Sequence, residues 1–216
     1  MPPENLIPRP TPGEIESMFA LGVSRESWSR IEEFVALLVQ WQQRTNLVSP
    51  NSLPQIWARH VIDSLQLLPL LPPATRLIAD LGSGGGFPAI PLAIASGAEF
   101  HLYESIAKKA AFLREAGRIG RCKVTIHNHR LENLSAVKVL PQIEVVTARA
   151  LAPLRELLQL AEPFLKNGAK AFFHKGADCD AELTEASKYW KIKAERHSSL
   201  TDSSAVILEV REAYRV

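Results

Sequence analysis

Apolar positions follow two different rhythms along the chain. Up to about residue 73 they recur at helical spacing: Ile31, Phe34, Val35 and Leu38 fall on one stripe that Trp41 extends, predicting a helix that starts near Ser24. Thr11-Pro12-Gly13-Glu14 ahead of it has the form of a capping box with proline at the first helical position. Asn46-Leu47-Val48-Ser49-Pro50 interrupts the stripe, a third helix is expected from about Ser52 to Leu68, and Pro72-Pro73 closes an all-helical portion. Trp28, Trp41 and Trp57 in this portion read as packing residues rather than base-stacking platforms.

From residue 74 short apolar runs alternate with helical patterns. Strands are expected at 77–81, 99–104, 124–126, 143–147 and 169–174. Helices are expected over about 88–96, 105–119 (capped by Ser105), 153–165 and 178–189. The tail holds two further strands, Trp190–Arg196 and Ala205–Glu212, around the turn-rich Thr201-Asp202-Ser203-Ser204. Alternation of this kind implies an α/β fold with a mostly parallel sheet and helices on both faces, here with seven strands and a closing antiparallel hairpin. The organisation expected is a single domain, 1–216, made of an N-terminal helical extension (1–73) and an α/β core (74–216).

Composition narrows the function classes. The formal charge of +2 over 216 residues does not by itself point to nucleic acid. Cys122 and Cys179 lack metal-ligand spacing, which fits a reducing cytoplasm without structural zinc, and no metal is expected. No apolar run is long enough to span a membrane and no basic-then-apolar leader is seen, so a cytoplasmic protein is expected; a monomer is the expected state. Charge is unevenly placed, however. Residues 108–130 carry Lys108, Lys109, Arg114, Arg118, Arg121, Lys123 and Arg130 against the single acid Glu115, whereas residues 1–40 hold three basic and six acidic side chains. A local basic face suits phosphate; a solvated amphipathic helix is the other reading.

The chemistry centres on Leu77-Ile78-Ala79-Asp80-Leu81-Gly82-Ser83-Gly84-Gly85-Gly86-Phe87-Pro88. A buried strand ends in an acid and a glycine-dense turn leads to a proline able to open a helix. Ligands of open α/β sheets bind beyond the carboxyl ends of strands, where this turn sits. The dinucleotide fingerprint requires a third glycine where Phe87 stands. Asp80-x-Gly82-x-Gly84-x-Gly86 instead resembles motif I of the class I S-adenosylmethionine (SAM) methyltransferases, whose ligand has no pyrophosphate and carries cationic ammonium and sulfonium groups.

Other candidates fall at matching places. Glu104 closes the second strand, where a carboxylate can accept both ribose hydroxyls. Arg130-Leu131-Glu132 follows the third strand, where such enzymes hold adenine. Helical spacing groups His60, Asp63 and Ser64 on one face, with Arg59 close to Asp63; this is a surface ion pair or a set projecting into the cleft. Arg149 and Lys175 follow strands 143–147 and 169–174, at the end where substrate would lie.

Taken together, Trp41 with Asn46-Leu47, Arg59-His60-x-x-Asp63-Ser64, Asp80 to Pro91, Glu104 with Lys108-Lys109, Phe112-Leu113, Arg130 with Glu132, Arg149-Ala150 and Lys175-Gly176 resemble the bacterial 16S rRNA (guanine-N7)-methyltransferases of the RsmG (GidB) family. The resemblance runs from about residue 30 to 176; it departs at Gly85, where the family often has alanine, and at Ala89, where it often has glycine. It implies the class I, Rossmann-like methyltransferase fold, SAM as methyl donor, and a guanine of 16S rRNA in the small ribosomal subunit as acceptor. The cofactor-binding set it implies is Asp80, Gly82, Ser83, Gly84, Gly86, Phe87, Glu104, Leu131, Glu132 and Arg149. Arg149, Lys175, Arg59 and His60 are the catalytic candidates, and Lys108, Lys109, Arg114 and Arg130 the RNA-binding ones. Guanine N7 carries a lone pair and no proton, so methylation there requires positioning rather than a general base. The alternatives are a SAM-dependent enzyme acting on a small molecule or protein, and a non-catalytic RNA-binding module on the same fold.

Overall fold

The computed structural model describes residues 8–131 and 142–216. Its centre is a seven-stranded sheet in the order β3-β2-β1-β4-β5-β7-β6. The strands are β1 (Leu77–Leu81), β2 (Glu99–Tyr103), β3 (Val124–His127), β4 (Val145–Arg149), β5 (Lys170–Lys175), β6 (Trp190–Ser198) and β7 (Val206–Arg215). The first five are parallel, while β7 runs antiparallel to both β5 and β6. The order reverses between β1 and β4, and that switch point opens a crevice at their carboxyl ends.

The helices α1 (Pro12–Ala20), α2 (Arg25–Gln42), α4 (Ala89–Ser96), α5 (Ala107–Ile119), α6 (Leu154–Leu165) and α7 (Cys179–Ala186) follow the apolar periodicity, with a three-residue α3 (Asp63–Leu65) in the extension. The Thr11/Glu14 capping box is formed, and Ser24 Oγ caps α2 by accepting from the Ser27 amide. Gly97 ends α4 in the left-handed conformation that glycine adopts without a Cβ clash. One core joins Phe34, Leu38, Trp57 and Leu65 of the extension to Ile90, Leu92 and Phe112 of α4 and α5; a second lies on the other face, between the sheet and α6 and α7. Trp28 stacks on Trp57 at 5.2 Å, and Trp41 meets Phe112 edge-on while its Nε1 donates to Glu115. The tryptophans are therefore packing residues.

Three local expectations are corrected. The third helix is not a continuous α-helix: a 3-10 segment Pro50–Gln55 passes into a π-helical stretch Trp57–Ile62 and then α3. Pro88 stands at the N-cap of α4 rather than inside it. Ser105 does not cap α5; the Glu104 carboxylate accepts from the Ile106 amide instead.

Candidate active site

The glycine turn leaves β1 and folds back on β2. The amides of Gly82 and Ser83 both donate to the Tyr103 carbonyl, and the Gly84 amide donates to Glu104 Oε2 at 2.9 Å. Glu104 Oε1 accepts from Ile106 at 2.7 Å, so one carboxylate ties the turn to the start of α5. Gly82, Gly84 and Gly86 have φ of +69°, +50° and +83°, which a side chain would oppose. A Cβ on Gly82 would also lie 2.5 Å from Leu151 Cδ1, and one on Gly85 would lie 2.7 Å from the Leu47 carbonyl. The turn is thus clasped between the β4–α6 connection and the N-terminal extension.

Asp80 lies beneath this turn, 1% exposed. Its Oδ1 accepts from Thr147 Oγ1 at 2.6 Å, while Oδ2 is buried without a hydrogen-bond partner among the described residues. Burial raises its pKa to about 7, against hydrogen bonds that lower it and with the Glu104 charge adding to the rise. A buried, unsatisfied acceptor under a glycine turn fits a cationic ligand lying above it.

Three cavities meet at the carboxyl ends of β1, β4 and β5. The first, about 360 Å³, is lined by Gly82, Gly84, Glu104, Ile106 and Leu131, with Lys109 and Arg130 at its sides. The second, about 460 Å³, lies between the turn and the extension, against Ser83, Phe87, His60 and Arg149. The third, about 480 Å³, is bounded by Arg59, Arg149, Lys175 and the turn between β6 and β7. Ala150 borders all three and has φ +50°, a left-handed conformation uncommon for a residue with a Cβ.

Arg149 ends β4 rather than following it, and each of its three guanidinium nitrogens has a partner. Nε meets Asp63 Oδ2 at 3.1 Å, Nη2 donates to the Arg59 carbonyl at 2.6 Å, and Nη1 approaches His60 Nδ1 at 2.9 Å. Arginine only donates, so His60 Nδ1 accepts and its Nε2–H points to Ser52 Oγ at 2.8 Å. Burial, then the charges of Arg149 and Arg59, push the His60 pKa down to about 3, leaving the ring neutral. Of the two readings of this helix face, the surface ion pair is not formed: Asp63 pairs with Arg149, and the Arg59 side chain is exposed at the wall shared by the second and third cavities. Lys175 ends β5, is buried, and pairs with Glu182 at 2.5 Å.

The other candidates separate into three groups. Ser83 and Phe87 line the second cavity, while Gly86 packs against Ile90 and Phe34. Lys109 borders two cavities, but Lys108 and Arg114 stand exposed on the outer side of α5. Glu132 lies outside the described residues.

Sequence reasoning quoted Ala150 without giving it a role, and missed Leu151, the Tyr103–His129 edge of the first cavity, and the β6–β7 turn. The last was open to deduction. An antiparallel strand paired with β5 starts beside the carboxyl end of β5, and Val206 indeed pairs with Lys175.

A glycine turn after β1, a carboxylate (Glu104) one residue past the end of β2 rather than closing it, and a seven-stranded sheet with a reversed β7 define a class I SAM-dependent methyltransferase. Among solved structures the fold is similar to an O-methyltransferase from Bacillus cereus in complex with SAH (TM-score 0.56, 15% identity, 85% of this chain and 91% of that one). It is also similar to cofactor-bound Rv0187 from MTB (TM-score 0.57, 13% identity, 94% and 99%). The GidB family model, described as rRNA small subunit methyltransferase G, matches residues 27–210. Proteins named ribosomal RNA small subunit methyltransferase G are 52% identical in Bradyrhizobium sp. (strain ORS 278), over 87% of this chain and 86% of the relative, and 44% identical in Paramagnetospirillum magneticum, over 94% and 97%. The chain belongs to the GidB family of methyltransferases, and its methyl donor is SAM.

Proposed function

We propose that this protein transfers a methyl group from SAM to N7 of a guanine in 16S rRNA of the small ribosomal subunit, acting in the cytoplasm. Family membership supports rRNA as the substrate. The observation that carries the finer reading is the His60–Arg149 pair at the wall between cofactor side and outer cavity. A neutral imidazole with both nitrogens engaged is a poor proton acceptor, and N7 has no proton to give.

When bound, SAM supplies an electrophilic methyl group on a positively charged sulfur. The chain's own residues do the rest by placement. Glu104 offers remaining lone pairs to ribose hydroxyls while its amide bonds keep the turn in shape. Asp80, with one buried oxygen unpartnered among the described residues, would supply negative charge toward the cationic groups of SAM. Arg149, fixed on three sides, holds His60 against Phe87 at 5.0 Å and shapes the passage between cavities. Arg59, exposed at that passage, can donate to O6, the acceptor beside N7. With SAM and acceptor bound, acceleration would come from residues that hold the two reactants in register rather than from a general base.

The test is transfer of labelled methyl from SAM to small subunits lacking the modification, followed by nucleoside digestion. Label in 7-methylguanosine is expected; label in another nucleoside, or only in ribosomal protein, contradicts the reading.

A further inference from the structure

The outer cavity contains a carboxylate that nothing above uses. Three acids line it: Asp63, Glu182 and Asp202. Asp63 is fully engaged, with Oδ1 accepting from Gln66 and Thr201 and Oδ2 paired with Arg149. Glu182 is neutralised by Lys175, and the same oxygen accepts from the Leu154 amide. Asp202 differs. Its Oδ1 accepts from Ser204 N at 2.9 Å and Ser204 Oγ at 2.7 Å, while Oδ2 has no partner among the described residues. The Ser204 hydrogen bonds hold its pKa below the usual carboxylate range, with Arg59 adding attraction, so it is ionised at neutral pH.

The turn that carries Asp202 is fastened to the site. Gln66 Oε1 accepts from the Leu200 amide at 2.8 Å, and Thr201 Oγ1 donates to Asp63 at 3.0 Å. Asp63 in turn holds Arg149, so the turn and the catalytic wall share one hydrogen-bond network. Asp202 itself is exposed, but it follows directly on two residues tied to the extension.

The two charges left to a ligand are then Arg59, at the passage to the cofactor side, and Asp202, on the outer cavity alone. A guanine entering with N7 toward the cofactor presents its edges in that order: acceptor O6 beside N7, then donors N1–H and the 2-amino group farther out. We propose that Asp202 reads the Watson–Crick edge of the acceptor guanine, its carboxylate accepting from N1–H and the 2-amino group while Arg59 donates to O6. This rests on the function proposed above and adds the determinant of base identity. Adenine would turn its N1 lone pair on the carboxylate and its amino group on Arg59, so both interactions would become repulsive. Methylation at N7 also draws electron density from the ring and strengthens N1–H as a donor, so the hydrogen bond tightens as positive charge develops.

The test uses small-subunit rRNA rebuilt with guanosine or inosine at the mapped target, since inosine lacks the 2-amino group. Single-turnover transfer by the unaltered enzyme should be roughly tenfold slower on inosine, the effect of losing one hydrogen bond to a charged group. Asp202→Ala should slow transfer to guanosine and bring the guanosine-to-inosine ratio near one, with SAM affinity unchanged. Asp202→Asn keeps an oxygen for Ser204 and replaces the free oxygen with an NH2, so it preserves the turn yet should also erase the ratio. A ratio near one in the unaltered enzyme, or one that survives in both variants, overturns the proposal. An unaltered enzyme that forms no 7-methylguanosine overturns the underlying function instead.

Discussion

Asp63 holds Arg149, its Oδ2 3.1 Å from Nε, although the two residues belong to the N-terminal extension and the end of β4. The same carboxylate accepts from Gln66 and Thr201, so it joins extension, strand and β6–β7 turn at one point. Asp63→Ala should release all three. Removing one member of a largely buried, hydrogen-bonded pair costs roughly 2–4 kcal/mol, which a urea unfolding curve would resolve. Methyl transfer should fall more than SAM affinity, because Arg149 loses its orientation while the glycine turn stays intact. Equal losses in both would place Asp63 under the cofactor cavity instead.

Gly82 has no room for a methyl group, given φ +69° and Leu151 Cδ1 at 2.5 Å from a built Cβ. Gly82→Ala should weaken SAM binding at least tenfold by isothermal titration, since backbone and Leu151 must shift into the cavities they border. Gly85→Ala meets the Leu47 carbonyl, which is backbone and cannot rotate away, so its effect should fall on thermal stability, by about 1–3 kcal/mol.

Asp80 gives a pH dependence with a definite sign. Its folded pKa of about 7 stands above the unfolded 3.8, so the stability it contributes is full below about pH 4 and is lost as pH rises through 7. Relative to Asp80→Asn, the unaltered protein should therefore lose unfolding free energy between about pH 4 and 7 and level off above that. A cationic ligand favours the ionised form, so SAM should bind more weakly at pH 6 than at pH 8, releasing protons. Asp80→Asn should flatten both trends, and flat profiles in the unaltered protein would contradict the assignment.

On the outer side of α5, Lys108, Arg114 and Arg118 are exposed, and the lone acid of that stretch, Glu115, is engaged by Trp41. Lys109 belongs to the cavities, so Lys108 and Arg114 are the cleaner probes. Their double alanine variant should lessen the slope of log affinity for rRNA against log salt by roughly 0.7–0.9 for each phosphate no longer neutralised. An unchanged slope would return them to ordinary solvated side chains.

How far the sequence reveals this site depends on the range of the interactions involved. The glycine turn, Glu104 and the alternation of strand and helix are written in adjacent residues, and the structure follows them closely. The third helix is misread because the π-helical geometry of Trp57–Ile62 leaves no mark in the apolar spacing used to place it. Asp63 pairs with Arg149 rather than with the nearer Arg59, whose carbonyl also accepts from Arg149, and a contact between residues 86 positions apart leaves no mark in helical spacing. Polar residues at 201–204 read locally as a connector, and become a cavity wall through the strand order alone.

The most direct measurement is a crystal structure with S-adenosylhomocysteine. Its ribose should lie on Glu104, its adenine between Ile106 and Leu131, and its sulfur should face the passage bordered by His60, Arg149 and Ala150. Density for the ligand in the outer cavity beside Lys175, or away from the glycine turn altogether, would contradict the account.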